Sequence, residues 1–116
     1  LTCVESVRKK CLFVTDSARD LGLERFDVFR GRAELFAEDA AATKEFDLAS
    51  SRGVGRPAES LPLIFPLLRA GGLARVYVPL SEVETAEKDG SALGWELVES
   101  FGSALAPIVV QSWRKR

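Results

Sequence analysis

The sequence contains no histidine and no methionine, and it has only two cysteines in 116 residues. Without histidine, the chain lacks the commonest general base of enzymes, which disfavours nucleophilic triads and histidine metal sites. The two cysteines, Cys3 and Cys11, fit a reduced cytosolic protein, and we expect both to be buried structural thiols without a metal. Because residue 1 is not methionine, we expect the sequence to be either processed or a fragment.

A strong net charge and long apolar runs are also missing. The 16 basic and 17 acidic side chains give a net charge of −1, so any RNA contact must come from a local patch rather than a global positive field. No apolar run approaches the roughly 20 residues that span a bilayer, and the first residues show no signal-peptide pattern. The composition therefore predicts one globular domain, residues 1–116, that is cytoplasmic and stays out of membranes.

What the chain does contain is a regular alternation of short apolar strands and amphipathic helices. Strands are predicted at residues 1–5, 26–29, 46–50, 73–78, 95–101 and 107–113. Helices are predicted at residues 7–21, 32–39, 57–69 and 80–93, the third divided by its internal prolines. Ser6 and Ser81 are the expected N-caps, and a turn is expected at Gly71 and Gly72. This order implies an α/β fold with a parallel sheet covered on both faces and an antiparallel pair at one edge.

Polar residues follow the first two predicted strands where each strand ends. Glu5 ends the first, where nucleotide-binding α/β folds place a carboxylate that accepts hydrogen bonds from ribose hydroxyls. The alternative is an acid that the helix macrodipole favours at the start of a helix. The next stretch, residues 30–34, either offers backbone N–H groups to an adenine edge or forms only a turn in which Gly31 permits close approach.

Basic residues lie in three places that could contact a phosphate. Arg52 and Arg56 follow the third strand, and they either grip a phosphate or carboxylate or lie in a solvated loop. Arg8 and Lys9, with the neighbouring Lys10, are either a solvated helix face or a weak RNA contact. The tail 114–116 is expected to be exposed and is a weaker candidate. Since the carboxyl ends of parallel strands share one edge, we expect the polar residues after all three strands to line one rim.

Four stretches, taken together and in order, resemble the bacterial 16S ribosomal RNA guanine-N7 methyltransferases, a family once called glucose-inhibited division protein B. They are residues 5–13, 21–34, 46–54 and 67–72. The first begins Glu-Ser and ends in phenylalanine, the second ends Gly-Arg-Ala-Glu, the third begins Phe-Asp and the fourth ends Gly-Gly. The resemblance covers roughly residues 1–78, and Val78 and Pro79 stand where the family usually has a lysine.

The resemblance implies a Rossmann-like class I fold with S-adenosylmethionine as the cofactor. Glu5 would then meet the cofactor ribose, Ala33 and Glu34 would line the adenine pocket, and Arg52 would belong to the rim shared by cofactor and substrate. The implied substrate is 16S ribosomal RNA in the small ribosomal subunit, and the implied reaction uses no metal and no covalent intermediate. The resemblance assigns no catalytic residue.

In the fold of that family, the first strand lies in the middle of the sheet and leads into a glycine-rich cofactor loop. This sequence enters the fold at the second strand, so we expect an incomplete domain. It should be unstable unless an N-terminal segment or a second chain supplies the strand. Three functions remain open at this point: an rRNA methyltransferase, a methyltransferase of a small molecule or protein, and a non-catalytic α/β fragment that binds a partner.

Overall fold

A computed structural model describes residues 1–39, 46–52, 56–102 and 106–116 of the chain. The chain divides into two compact units. The first holds strands β1 (Thr2–Glu5) and β2 (Asp27–Arg30) with helices α1 (Arg8–Asp20) and α2 (Ala33–Asp39). The second holds the remaining four strands and two helices. The predicted alternation of strands and helices is thereby confirmed, with bounds that shift by a few residues.

The first unit is a parallel strand pair with its crossover helix. β1 and β2 pair in parallel, from Thr2 opposite Asp27 to Glu5 opposite Arg30. α1 connects them and ends where expected, since Gly22 adopts a φ of 69° that an L side chain rarely takes. Within the described part of this unit the sheet has two strands, so β1 keeps a free hydrogen-bonding edge.

The second unit is a mixed four-stranded sheet with two helices. Its elements are β3 (Phe46–Ser51), α3 (Pro57–Ile64), β4 (Leu68–Pro79), α4 (Val83–Ala92), β5 (Glu96–Gly102) and β6 (Ile108–Arg114). The strand order is β3-β4-β6-β5, with β3 parallel to β4 and β6 antiparallel to both of its neighbours. The predicted antiparallel pair at one edge is confirmed, and β3 forms the opposite edge of this sheet.

The core of the second unit lies on one face of its sheet. Ala74, Val76 and Val78 alternate along β4 and pack with buried residues of the helices and neighbouring strands: Leu61, Ile64, Ala86, Trp95 and Trp113. Both helices therefore cover this face. The other face leaves large side chains of three strands exposed, namely Leu48, Tyr77 and Phe101. The expectation of a sheet covered on both faces is wrong for this unit, because α3 and α4 lie on the same side.

The predicted helix caps differ from those observed. α1 has Val7 rather than Ser6 at its N-cap, and α4 has Glu82 rather than Ser81; neither N-cap side chain makes a cap hydrogen bond. At the start of α1 the carboxylate of Glu5 accepts a hydrogen bond from the Val7 N–H at 3.0 Å. The carboxylate, and not a serine hydroxyl, therefore satisfies this backbone N–H. At α4 a short 3₁₀ turn, Leu80–Glu82, precedes the helix and moves its start.

The predicted turn at Gly71 and Gly72 lies inside the long strand β4. Gly71 has a φ of 75°, and the ladder with β3 is interrupted here, between the pairs Phe46–Leu68 and Leu48–Leu73. On the other side, the Gly71 N–H donates to the Lys115 carbonyl and the Lys115 N–H donates to the Gly72 carbonyl. These long-range bonds hold the segment in the sheet as a bulge, which is why a local turn pattern does not end the strand.

The expectation that the charged tail is exposed holds for Arg114 and Arg116 and is wrong for Lys115. Lys115 is 7% exposed, and its ammonium donates to the carbonyls of Phe65 and Leu68 at 2.6 and 2.7 Å. Those carbonyls lie at the 3₁₀ turn Phe65–Leu67 that follows α3, so the lysine satisfies groups that a helix end leaves without partners. The predicted division into two short helices is confirmed by α3 and the 3₁₀ turn, although Pro62 lies inside α3 and only Pro66 lies in the turn.

Candidate functional site

Glu5 lies at the carboxyl end of β1, beside the segment that follows β2. The Gly31 N–H donates to the Glu5 carbonyl at 3.0 Å, and Arg30 is the register partner of Glu5. Ala33 is the half-buried first residue of α2, and Glu34 is exposed in its first turn. The structure therefore brings the predicted ribose and adenine residues to one edge of the first unit.

The end of β1 is fixed by hydrogen bonds on both its backbone and its side chain. The Cys11 thiol donates to the Glu5 carbonyl at 3.2 Å, while Glu5 Oε1 accepts from the Val7 N–H. A carboxylate has about four lone-pair positions, so this bond leaves Glu5 able to accept further donors. The helix-start and ligand-binding interpretations of Glu5 are thus compatible rather than exclusive.

Gly31 is required by close packing rather than by an unusual backbone angle. A Cβ at this position would lie 2.7 Å from Cε1 of Phe29. The Phe29 ring packs against Phe36 of α2, with centroids 5.1 Å apart. The glycine thus leaves room for the Phe29 ring, which contacts Phe36 of α2.

The two thiols of this unit differ in burial. The prediction that both are buried is confirmed for Cys11 and wrong for Cys3, which is half-buried. Burial raises the pKa of the Cys3 thiol, and the nearby Glu5 carboxylate and Cys11 raise the same pKa further. A raised pKa lowers the thiolate fraction and therefore the nucleophilicity of Cys3. Cys3 is therefore a poor nucleophile.

The basic face of α1 is exposed at the start of the helix. Arg8, Lys9 and Lys10 are its first three residues, all exposed, and the first turn contains no acid. The helix macrodipole makes positive charge unfavourable at this end. These side chains therefore cost helix stability rather than add to it, and they remain free to contact an anion.

Reversing one of these charges should increase the stability of the protein and at the same time weaken its binding to RNA. We expect Lys9→Glu to raise the free energy of unfolding by about 0.5–1 kcal/mol, since an acid at the N-terminus of a helix is favourable. The same change should weaken binding to small-subunit RNA and lower the salt dependence by roughly one phosphate contact. Urea titration and fluorescence polarisation measure the two effects.

Lys88→Glu provides the charge-matched control for this prediction, because Lys88 is an exposed lysine of α4 paired with Glu84. RNA binding that falls equally in the two variants would show that only net charge matters. RNA binding unchanged by Lys9→Glu would remove α1 from the set of RNA contacts.

The second unit contributes a rim at the carboxyl ends of β3 and β4. Arg52 follows Ser51, the last residue of β3, which pairs in parallel with Val76. Arg56 directly precedes α3. Part of the predicted loop, residues 53–55, lies outside the described residues. Arg52 and Arg56 both line a cleft of about 510 Å³, with Tyr77 and Pro79 from the end of β4.

Two acids complete this cleft, and they differ in what they bond. Glu59 Oε2 accepts a hydrogen bond from the Arg56 N–H at 2.9 Å, as part of the capping box of α3. Glu82 Oε2 lies 4.0 Å from Arg56 Nε, with both side chains about half exposed. Glu59 is therefore bonded to the start of the helix, whereas Glu82 forms a longer ion pair across the cleft.

Sequence reasoning missed the half of this cleft that β4 and the following turn provide. Tyr77, Pro79, Glu82 and Ile108 line it, and none was a predicted site residue. The rule that polar residues after parallel strands share one rim also covers the end of β4, where it selects Tyr77 to Glu82. Ile108 comes from the antiparallel strand β6 and has no local signal.

The described residues contain no group of three or more cysteines, histidines or acids that could hold a metal ion. In the same part of the chain, every helix is too short or too polar to cross a membrane.

Comparison with known proteins gives similarity in both sequence and structure. The chain is 39% identical over 72 residues to the ribosomal RNA small subunit methyltransferase G of Streptococcus pyogenes, a match that covers 62% of the chain. Relatives from several serotypes of that species match equally. The match spans 30% of the length of these relatives. No protein-family model matches the chain. The family resemblance seen in the sequence is thus confirmed as a similarity to part of the ribosomal RNA small subunit methyltransferase G.

Solved structures show the fold. The Methanococcus jannaschii fibrillarin pre-rRNA processing protein has a TM-score of 0.80 at 14% identity, covering 98% of this chain and 55% of that chain. The ribosomal protein L11 methylase of Lactobacillus delbrueckii subsp. bulgaricus has a TM-score of 0.81 at 12% identity, with coverages of 99% and 57%. P. horikoshii TYW2, solved in complex with MeSAdo, has a TM-score of 0.68 at 14% identity, with coverages of 97% and 47%. The class I methyltransferase fold predicted from the sequence is confirmed.

Proposed function

We propose that the chain is part of an S-adenosylmethionine-dependent methyltransferase that acts in the cytoplasm on N7 of a guanine in 16S ribosomal RNA. The observation that carries the proposal is the 39% identity over 72 residues to a ribosomal RNA small subunit methyltransferase. The fold and the polar residues at the carboxyl ends of its parallel strands support it. Ligands of such folds bind at this edge.

The residues at the end of β1 fit the nucleoside part of the proposed cofactor. Glu5 is half-buried and can accept donors beyond Val7, which suits a pair of ribose hydroxyls. Gly31 removes a Cβ next to this position, and Ala33 and Glu34 follow it at the start of α2. In the proposal, Glu5 holds the ribose, Ala33 and Glu34 flank the adenine, and Arg52 lines the rim of the second unit.

The proposed reaction makes few chemical demands on the protein. The bound cofactor supplies the methyl group as an electrophile. N7 of guanine carries no proton and already presents its lone pair, so the protein has no proton to remove there. The residues of this chain have to hold the base, orient N7 and exclude water. A chain without histidine can meet these demands.

RNA contacts are proposed for three exposed basic residues. Arg8 and Lys9 are exposed on α1, and Arg56 lines the cleft of the second unit. Each can bind a phosphate without any positive net charge on the chain as a whole. Their proposed role is to position the RNA, whereas the cleft selects the base.

Labelled methyl transfer tests the proposal. The protein expressed from the whole open reading frame that contains these residues would be incubated with labelled cofactor and deproteinised small-subunit RNA. The expected result is label in RNA that is recovered as 7-methylguanine after digestion. Cofactor binding without RNA labelling would overturn the RNA substrate and favour a methyltransferase of a small molecule or protein. No cofactor binding would favour a non-catalytic α/β fragment that binds a partner.

The 116 residues alone are expected to bind the cofactor weakly. β1 and β3 each form an edge of their own sheet within the described residues. A further strand, from another segment or a second chain, would pair with such an edge and complete the cofactor site. Isothermal calorimetry of the isolated chain should give no dissociation constant in the micromolar range. A micromolar value would contradict the need for a completing segment.

A further inference from the structure

We propose that the cleft of the second unit holds the target guanine and that the Glu82 carboxylate binds its Watson–Crick edge. The inference rests on the proposed function, because it names the group that selects the base for that reaction. The residues of the cleft all belong to the second unit, so the inference depends on the geometry of that unit alone.

The walls of the cleft suit a flat, partly apolar ligand. Tyr77 and Pro79 lie on the same side of β4, and Pro79 pairs with Ile108 of β6. Tyr77 and Ile108 are 40% and 37% exposed, so each presents surface that a ligand could cover. The cleft volume of about 510 Å³ lies in the range of small-molecule sites. Aromatic and apolar side chains are the usual stacking surface for a base taken out of its own stack.

Glu82 is available to a ligand because it does not cap the helix that it begins. It is the N-cap residue of α4, yet its side chain makes no cap hydrogen bond. The carboxylate instead lines the cleft, where the Arg56 guanidinium lies 4.0 Å away, beyond hydrogen-bond length. Glu59, the other acid of the cleft, already accepts the Arg56 N–H. Of the two acids, Glu82 thus has the carboxylate that no helix-start N–H engages.

A carboxylate distinguishes guanine from the other bases by its donors. Guanine presents N1–H and N2–H side by side, and the two carboxylate oxygens can accept both hydrogen bonds at once. Adenine presents an acceptor at N1, which a carboxylate repels. N7 lies on the far side of the purine from this edge. A guanine held by Glu82 therefore leaves N7 open to the methyl donor.

The same contact should strengthen as the reaction proceeds. Bond formation at N7 places positive charge on the purine, which makes N1–H and N2–H stronger donors. A carboxylate at that edge then binds the transition state more tightly than the ground state, and such differential binding raises kcat. Removing the charge should lower kcat more than it raises KM.

Nucleotide binding tests the inference independently of methyl transfer. We expect GMP to bind the protein expressed from the whole open reading frame roughly tenfold more tightly than IMP, which lacks the N2 amino group, and more tightly than AMP. Glu82→Gln should reduce the preference for GMP over IMP to about threefold or less. Glu84→Gln, an exposed acid of α4 paired with Lys88, should leave it unchanged. Nuclear magnetic resonance titration gives the dissociation constants, and circular dichroism verifies that each variant is folded.

Methyl transfer by the protein from the whole open reading frame provides the second measurement. Glu82→Gln should lower kcat on small-subunit RNA by roughly tenfold or more with a smaller change in KM. A GMP preference retained in Glu82→Gln, or absent from the unaltered chain, would overturn the inference even if RNA is methylated. RNA that is not methylated, combined with a GMP preference lost in Glu82→Gln, would overturn the proposed function and support the guanine cleft.

Discussion

Replacing Gly90 with alanine is expected to destabilise the second unit by about 2 kcal/mol. A Cβ at Gly90 would lie 2.5–2.8 Å from three ring atoms of Trp113. Overpacking of a core typically costs about 1–3 kcal/mol, and occasionally more. Alanine gains roughly 1 kcal/mol over glycine within a helix. The clash outweighs this gain because Trp113 is fully buried and is held between α4 and the sheet.

Urea denaturation followed by far-UV circular dichroism measures this effect. Ser91→Ala is the matched control, since Ser91 is the next residue of α4 and is exposed. It should be neutral or slightly stabilising because it improves helix propensity without touching the core. The double variant Gly90→Ala/Trp113→Phe should lose less stability than the sum of the two single variants, because the smaller ring relieves the clash with the Cβ. A double-mutant cycle measures this difference. Equal stability of Gly90→Ala and Ser91→Ala would show that the ring adjusts freely.

Replacing Arg52 with alanine is expected to lower kcat/KM for RNA methyl transfer by about 100-fold. Arg52 follows β3 directly and lines the cleft with Arg56 and Tyr77. Removing one oriented charged or hydrogen-bonding group from an active site commonly costs about 10²–10³-fold in rate. Because Arg52 is exposed, the substitution should leave the free energy of unfolding almost unchanged.

Arg69→Ala is the control for the loss of an arginine. Arg69 lies near the start of β4, at the other end of the strand, where it pairs with Asp47 at the surface. Its removal should change stability by less than about 1 kcal/mol and leave methyl transfer intact. Single-turnover kinetics on small-subunit RNA compares the two variants. If the Arg52→Ala variant is as active as the Arg69→Ala variant, Arg52 does not belong to the proposed rim.

The order of elements could be predicted from the sequence because apolar periodicity and glycine stops are local signals. Gly22 and Gly94 end their helices with φ of 69° and 84°, as their positions indicate. The caps could not be predicted equally well. Ser6 has the preferred residue type for an N-cap, but the carboxylate of Glu5 takes the first free amide of the segment. Residue preference alone does not decide between two neighbouring acceptors.

Features that depend on distant pairing were not predictable from local patterns. The glycines of β4 have the pattern of a turn, yet hydrogen bonds to Lys115, more than 40 residues away, keep Gly71 and Gly72 in the sheet. Lys115 itself belongs to a charged tail but is buried against Phe65. For the candidate site, strand ends predicted Glu5 and Arg52. Glu82 depends on how a 3₁₀ turn aims a side chain, which no spacing in the sequence specifies.

The uneven distribution of aromatic residues makes the chain a convenient object for optical measurements. Both tryptophans, Trp95 and Trp113, are buried in the core of the second unit. The single tyrosine, Tyr77, lies partly exposed on the opposite face of the same sheet. Indole emission therefore monitors only the second unit, which contains β3 to β6, and the first unit makes no contribution to that signal. Iodination of the phenol would in turn label the face that α3 and α4 leave uncovered.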